Sequence, residues 1–243
     1  MSSAATVIDD RFVLGERLHG TEELGVWDGS EPGAGDRPVL VSIGPHADDA
    51  FDDLALDVPG VPTLLAVGDA TGDRTAVVEE HPPGAIAAPA PEQAAALGAE
   101  VAELAAFVHH MGLALGGIRP EAVWRAEEVS ISPRLTRLWD LSRQSLDAPG
   151  GPPVYISLGR LRGTGPTERD DVFALGATIA FWATGAHPFE GETRGEQIRA
   201  IHDRRRRPWT GDPELEPIVA AALRPLAERP TMEWLEGALR ELA

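Results

Sequence analysis

The chain has 243 residues, 43% of them hydrophobic and 25% charged, with a formal charge of −18 at pH 7 and no cysteine. This composition belongs to a globular protein with a sizeable core, and it excludes disulfides and thiolate metal sites. The negative charge opposes non-specific attachment to nucleic acid or an anionic membrane, and no apolar run reaches spanning length without a charge.

Residues 1–10 lack the basic start and long apolar run of a signal peptide, so a cytoplasmic protein is expected. Residues 11–18 alternate apolar and polar side chains, the period of a half-buried strand. Residues 24–29 and 37–44 predict two more strands, the latter bounded by the turn-forming residues 33–36 and by Pro45. A short helix is expected over 47–56, stopped near Pro59. Residues 63–67 and 75–80 predict a fourth and a fifth strand, joined by a turn at 69–73. Residues 81–91, rich in proline, glycine and alanine, read as a linker.

Beyond the linker the pattern changes. Residues 92–111 are alanine-rich with apolar side chains at helical spacing, predicting a long helix. A small hairpin is expected over 123–132, followed by a loop-like stretch over 133–165. Residues 170–184 predict an apolar, buried helix ending at Gly185. Further helices are expected over 192–205, 214–223 and 231–242, the last begun by Pro230 and Thr231. The fold class is therefore α+β, with residues 1–84 as a lobe built on a small five-stranded antiparallel sheet and residues 85–243 as a mainly helical lobe. Trp124, Trp139, Trp182, Trp209 and Trp234 are mostly expected in the helical core.

Several segments carry a resemblance. Asp170-Asp171-Val172-Phe173-Ala174-Leu175-Gly176, Ala183-Thr184-Gly185-Ala186-His187-Pro188-Phe189-Glu190-Gly191 and Ala227-Glu228-Arg229-Pro230-Thr231 resemble C-terminal lobe motifs of bacterial serine/threonine protein kinases. Gly112-Leu113-Ala114-Leu115-Gly116-Gly117-Ile118-Arg119-Pro120-Glu121-Ala122-Val123 is similar to the kinase catalytic loop, and residues 11–27 to the first two kinase strands. The resemblance covers nearly the whole chain and implies the bilobal protein kinase-like fold.

Position by position, the resemblance implies that the chemistry has gone. The sequence holds no lysine and no asparagine, whereas kinases use a lysine on the nucleotide phosphates and an asparagine on a magnesium ion. The lysine position falls on Ser42, and the small residue two before it is Leu40, whose bulk would fill the adenine pocket. The three glycine-loop positions fall on His19, Thr21 and Leu24, with Glu22 and Glu23 adding repulsion toward an anion. The catalytic base falls on Gly117, the metal-binding asparagine on Ala122, and the DFG motif on Pro133-Arg134-Leu135. A shifted alignment puts the DFG aspartate on Asp140. The APE motif falls on Ser157-Leu158-Gly159. Two architectural positions are kept. Asp171 matches the aspartate that holds the catalytic-loop backbone. Arg229 matches the arginine that pairs with the APE glutamate, and with Gly159 there it needs a new partner or lies exposed.

The expectation is a catalytically inactive kinase-like protein, a pseudokinase, that binds another protein as a scaffold or allosteric regulator, with the acidic excess favouring a basic partner, and that uses no cofactor, nucleotide or metal. The alternatives are an enzyme with non-standard chemistry, drawing on Glu79, Glu80, Glu121 and Asp140, or a non-catalytic nucleotide sensor. Candidate interfaces are the blocked cleft between lobes, the 133–165 segment, and Arg204, Arg205, Arg206 and Arg207 with Trp209, since arginine and tryptophan are enriched at binding hot spots. The same four arginines fit a solvated helix end. His109 and His110, adjacent on a helix, face different directions and read as packing or helix-end residues. Ser142 and Ser145, beside Arg143, read as loop serines that could accept a phosphate.

Overall fold

The computed structural model describes residues 7–8, 10–20, 25–45, 58–70, 74–116, 118–132, 153–162 and 166–243, with the side chains of Val7, His19 and Pro45 excepted. The described residues up to Pro83 form one compact unit and those from Gly84 onward a second.

The first unit is a sheet of five long strands and a two-residue edge strand. In chain order these are β1 (Val7–Ile8), β2 (Phe12–Gly20), β3 (Gly25–Glu31), β4 (Arg37–Pro45), β5 (Leu64–Ala70) and β6 (Arg74–Glu80). They lie in the order β1-β2-β3-β4-β6-β5, every pair antiparallel. Period-two alternation explains how β4 is buried on both faces. Val39, Val41 and Ile43 pack with Ile8, Phe12, Ala76 and Val78 in one apolar cluster. Leu40 and Ser42 point the other way, beside Val77 and Glu79 of β6, and all four are buried. The β3–β4 connection is a 3-10 turn, Pro32–Ala34, followed by Gly35 and Asp36 at φ 74° and 58°. Glu31, buried beside this turn, accepts from Arg11 and Arg37, tying the start of β2 to the start of β4. Those two guanidinium groups hold its carboxyl below the usual range. The helix expected over 47–56 lies outside the described residues.

The second unit opens with a three-stranded sheet of β7 (Ala85–Ile86), β8 (Val123–Arg125) and β9 (Val129–Ile131). The stretch expected as pure linker thus contributes a strand, because Ala85 and Ile86 pair with Arg125 and Trp124. Among the described residues its helices are, in chain order, α1 (Ala94–His110), which lies between β7 and β8, then α2 (Leu158–Leu161), α3 (Glu168–Thr184), α4 (Arg194–Asp203), α5 (Glu216–Ala222) and α6 (Met232–Arg240). The loop expected over 133–165 is corrected in its described part, which holds α2 and a 3-10 turn over Pro153–Tyr155.

Helix α3 is the core of this unit. Beyond its charged first turn, from Val172 to Ala183, it is apolar on nearly all sides, so burial rather than amphipathicity holds it. Thr167 and Asp170 cap its start reciprocally: Asp170 N donates to Thr167 Oγ1 at 3.3 Å and Thr167 N to Asp170 Oδ2 at 3.0 Å. Gly185 in the left-handed conformation closes it, its N–H bonding Phe181 O at 2.8 Å. Gly176 lets α5 come close: a Cβ there would sit 2.6 Å from the Ala222 Cβ. Gly98 of α1 does the same against Ile179. Helix α6 buries Met232, Leu235 and Leu239, one stripe at helical spacing, and packs on α1. Trp124 and Trp182 are buried, but Trp234 is corrected: it lies on the outer side of α6 and is 47% exposed. Trp139 lies outside the described residues. Among the described residues, no helix is long and apolar enough to cross a membrane.

Candidate functional site

The positions that resemble kinase chemistry divide between the two units. In the first, Ser42 sits mid-strand in β4, 1% exposed, between Val26 of β3 and Val77 of β6. Its hydroxyl has no hydrogen-bond partner among the described residues. Leu40, two residues earlier on the same face, is fully buried and stands opposite Asp28 and Glu79. His19 lies at the end of β2, paired with Val26 through the backbone. Thr21 and Leu24 lie outside the described residues. Asp28 is engaged by His81 Nε2 at 3.0 Å. Glu79 and Glu80, successive residues of β6, point to opposite faces; the first is buried and the second is half exposed beside Arg37 at 3.5 Å.

In the second unit, Asp171 organises the stretch that resembles the catalytic loop. Its carboxylate accepts from Leu115 N at 2.7 Å, Gly116 N at 2.9 Å and His109 Nε2 at 2.9 Å, and it is fully buried. An ionised carboxylate can only accept, so Nε2 of His109 carries the proton in this contact. Three donors on one buried carboxylate satisfy the charge that burial would otherwise penalise. His109 is therefore more than packing. The signal that could have found it was helical position: in the last turn of α1 it turns inward toward α3, whereas His110 is exposed beside Glu233 at 3.6 Å. Ala122, at the asparagine position, is fully buried, and its carbonyl accepts from Ser132 N at 2.9 Å. Gly117, Pro133, Asp140, Ser142 and Ser145 lie outside the described residues.

Arg229 has found its partner. It is buried, and its Nη1 donates to Asp170 Oδ1 at 3.3 Å and to Arg169 O at 3.0 Å, while Nε donates to Arg224 O at 2.7 Å. Its guanidinium also lies 4.8 Å over the Phe173 ring. Burial pulls its pKa down and Asp170 pulls it back up. The carboxylate missing at Gly159 is thus supplied from the first turn of α3, and Ser157 donates its hydroxyl to the same Asp170. Phe189 stacks on Phe173 at 5.8 Å and completes this cluster with Tyr155, Val154, Ala200 and Ile201. Tyr155 O–H meets His187 Nδ1 at 3.2 Å, and Arg119 lies 5.5 Å over the Tyr155 ring. Burial raises the Tyr155 pKa and lowers that of His187; Glu121 acts in the raising direction on both.

The four consecutive arginines do not act as one block. Arg205 turns to Glu190 at 3.3 Å and Asp203 at 3.7 Å. Arg207 Nε donates to Phe189 O at 3.2 Å. Arg204, Arg206 and Arg207 line a groove of about 610 Å³ with Trp209 and His187. Trp209 is held by Nε1 donating to Asp212 O at 2.8 Å. Among the described residues no group of three His, Cys, Asp or Glu side chains is placed to hold a metal ion.

Comparison with known proteins places the fold. No family model matches the sequence, and no curated protein matches it either. The structure is similar to that of Rad53 1-466 in complex with AMP-PNP, with a TM-score of 0.64 over 93% of this chain at 14% identity. This chain spans 63% of the length of that one. The chain therefore has a protein kinase-like fold.

Proposed function

We propose that this chain is a pseudokinase, a kinase-fold protein without phosphoryl transfer that acts by binding another protein. The observation that carries the reading is Ser42. At the position that resembles the phosphate-binding lysine stands a short, uncharged, buried side chain. Serine neither neutralises phosphate charge nor reaches as far as lysine, and arginine, the basic residue this chain uses throughout, is not there instead. Leu40 on the same face and Ala122 in the second unit support the reading, since each puts an apolar side chain where a kinase needs space or a metal ligand. Loss of several independent electrostatic and positioning contributions leaves no route to the transition state. Retention of the Asp171 and Arg229 networks, which serve shape alone, fits a protein kept for its surface.

Isothermal titration of the full chain with ATP and magnesium tests the reading. The expected result is no heat of binding. Magnesium-dependent binding at micromolar concentration would overturn it.

A further inference from the structure

Helix α4 stops on Arg204, which takes the left-handed conformation at φ 58°. From there the backbone runs extended: Arg206 bridges Phe189, and Arg207 N donates to Pro188 O at 2.9 Å. Arg205 is turned to acidic neighbours, as described. The exposed guanidinium groups of Arg204 and Arg206 have neither hydrogen bond nor ion pair among the described residues. Each lines two grooves, of about 610 Å³ and about 370 Å³. The first is floored by Val219 and Leu223, and the second by Ile201, Phe189 and Leu223. The first also holds Arg207 against one carboxylate, Glu216; the second holds Arg224 and the already paired Arg229 against Glu228. This is a local excess of positive charge on a chain whose net charge is −18. Trp209 is pinned at the rim by its bond to Asp212, and Gly211 leaves its ring room, since a Cβ there would lie 3.1 Å from the ring, so the wall is set before any ligand arrives.

The geometry points to a docking surface for an acidic peptide segment of a protein partner, its carboxylates held by Arg204 and Arg206 and its apolar side chains seated in the grooves on either side. Guanidinium forks match carboxylates in geometry and charge. The apolar floors give such a segment a place for side chains that a free anion lacks. A long polyanion such as nucleic acid would overrun this patch and meet the negative remainder of the chain. The inference rests on the protein-binding reading above and adds the surface and the chemistry of the partner.

The probe is a fluorescein-labelled synthetic peptide of glutamates around a central leucine, titrated with the full chain by fluorescence anisotropy. Saturable binding that weakens as salt is added is expected. The double variant Arg204→Ala/Arg206→Ala should weaken it by about tenfold, the scale of two surface ion pairs acting together. Glycine in place of the peptide leucine should also weaken it. Because neither guanidinium is used by the fold, the double variant should melt within about 2 °C of the parent, which separates lost docking from lost folding. No saturable binding, equal binding of a lysine peptide, or unchanged affinity in the double variant would each overturn the proposal. So would a phosphoserine peptide that binds where the glutamate peptide does not. Binding of ATP with magnesium would refute the pseudokinase reading and leave this titration as it stands. A protein partner that binds the double variant as well as the parent would refute the docking surface alone.

Discussion

Asp171 and Ser42 are both polar, both buried, and both at positions that resemble kinase elements, yet their surroundings are opposite. Asp171, in the helical unit, meets three donors from two segments and leaves nothing unsatisfied. Ser42, in the sheet unit, keeps a buried hydroxyl with no partner among the described residues. A kinase would carry a charged side chain at both positions. Here the one that holds backbone together remains charged and the one that would hold a ligand does not. The contrast teaches that buried polar positions within one fold can be fully satisfied in one unit and left without a partner in the other, because each draws on its own local set of polar groups.

The contrast breaks most visibly at Asp171. Asp171→Ala strands two backbone N–H groups and the His109 donor in a buried setting, and each such group costs of the order of 1–3 kcal/mol. A loss of about 3–5 kcal/mol is expected, lowering the melting temperature by about 10 °C, measured by calorimetry. A change below about 1 kcal/mol would mean the loop is held by other contacts.

Arg229→Ala comes next. It leaves Asp170 buried with Ser157 and Thr167 as donors but without its cation, for an expected loss of about 2–4 kcal/mol. Replacing both partners in Asp170→Asn/Arg229→Met should cost less than the sum of the single changes, and denaturant unfolding of the four proteins measures that coupling. Additive losses would show that the two side chains do not work as a pair.

How much of this was legible beforehand depends on the range of the interaction. The long strands and helices were readable from period-two and helical spacing, because local backbone geometry imposes those patterns. β1 and β7 were not, since two-residue strands exist only through their partners, Val13 with Phe12 and Arg125 with Trp124. The bond from His109 joins residues 62 positions apart, and the Arg229–Asp170 pair spans 59, so neither has a local signature. Trp234 was misplaced because tryptophan is apolar enough to predict burial, while the stripe of Met232, Leu235 and Leu239 already fills the inner face of α6. The arginine run was visible as charge, but its division into paired Arg205 and unpaired Arg204 and Arg206 follows from the extended turn after α4.

Glu31 shows that the sheet unit can also satisfy a buried carboxylate, and it sharpens the comparison through pH. With its folded pKa held below the ordinary value by Arg11 and Arg37, it contributes stability that is present above the unfolded pKa of about 4.3 and is lost as pH falls through the folded value. Glu31→Gln should therefore flatten the acid limb of a stability–pH profile while changing stability at neutral pH less than Arg229→Ala does. An acid limb that keeps its slope would assign the effect to other carboxylates.

The smallest effect has the opposite sign. Removing an unpaired buried hydroxyl relieves its desolvation cost and leaves only a minor void, so Ser42→Ala should stabilise the chain by up to about 1 kcal/mol. For a chain of this size that is a rise in melting temperature of about 2–4 °C. A fall instead would reveal a partner for the hydroxyl and would make Ser42 resemble Asp171 after all. Ser42→Lys should destabilise, because it buries a charge between Val26 and Val77 and beside Leu40, with the buried Glu79 on the same face offsetting only part of that cost. If Ser42→Lys instead left stability unchanged, the position would accommodate the lysine it resembles, and the absence of a basic group there would be a matter of one residue rather than of its whole surroundings.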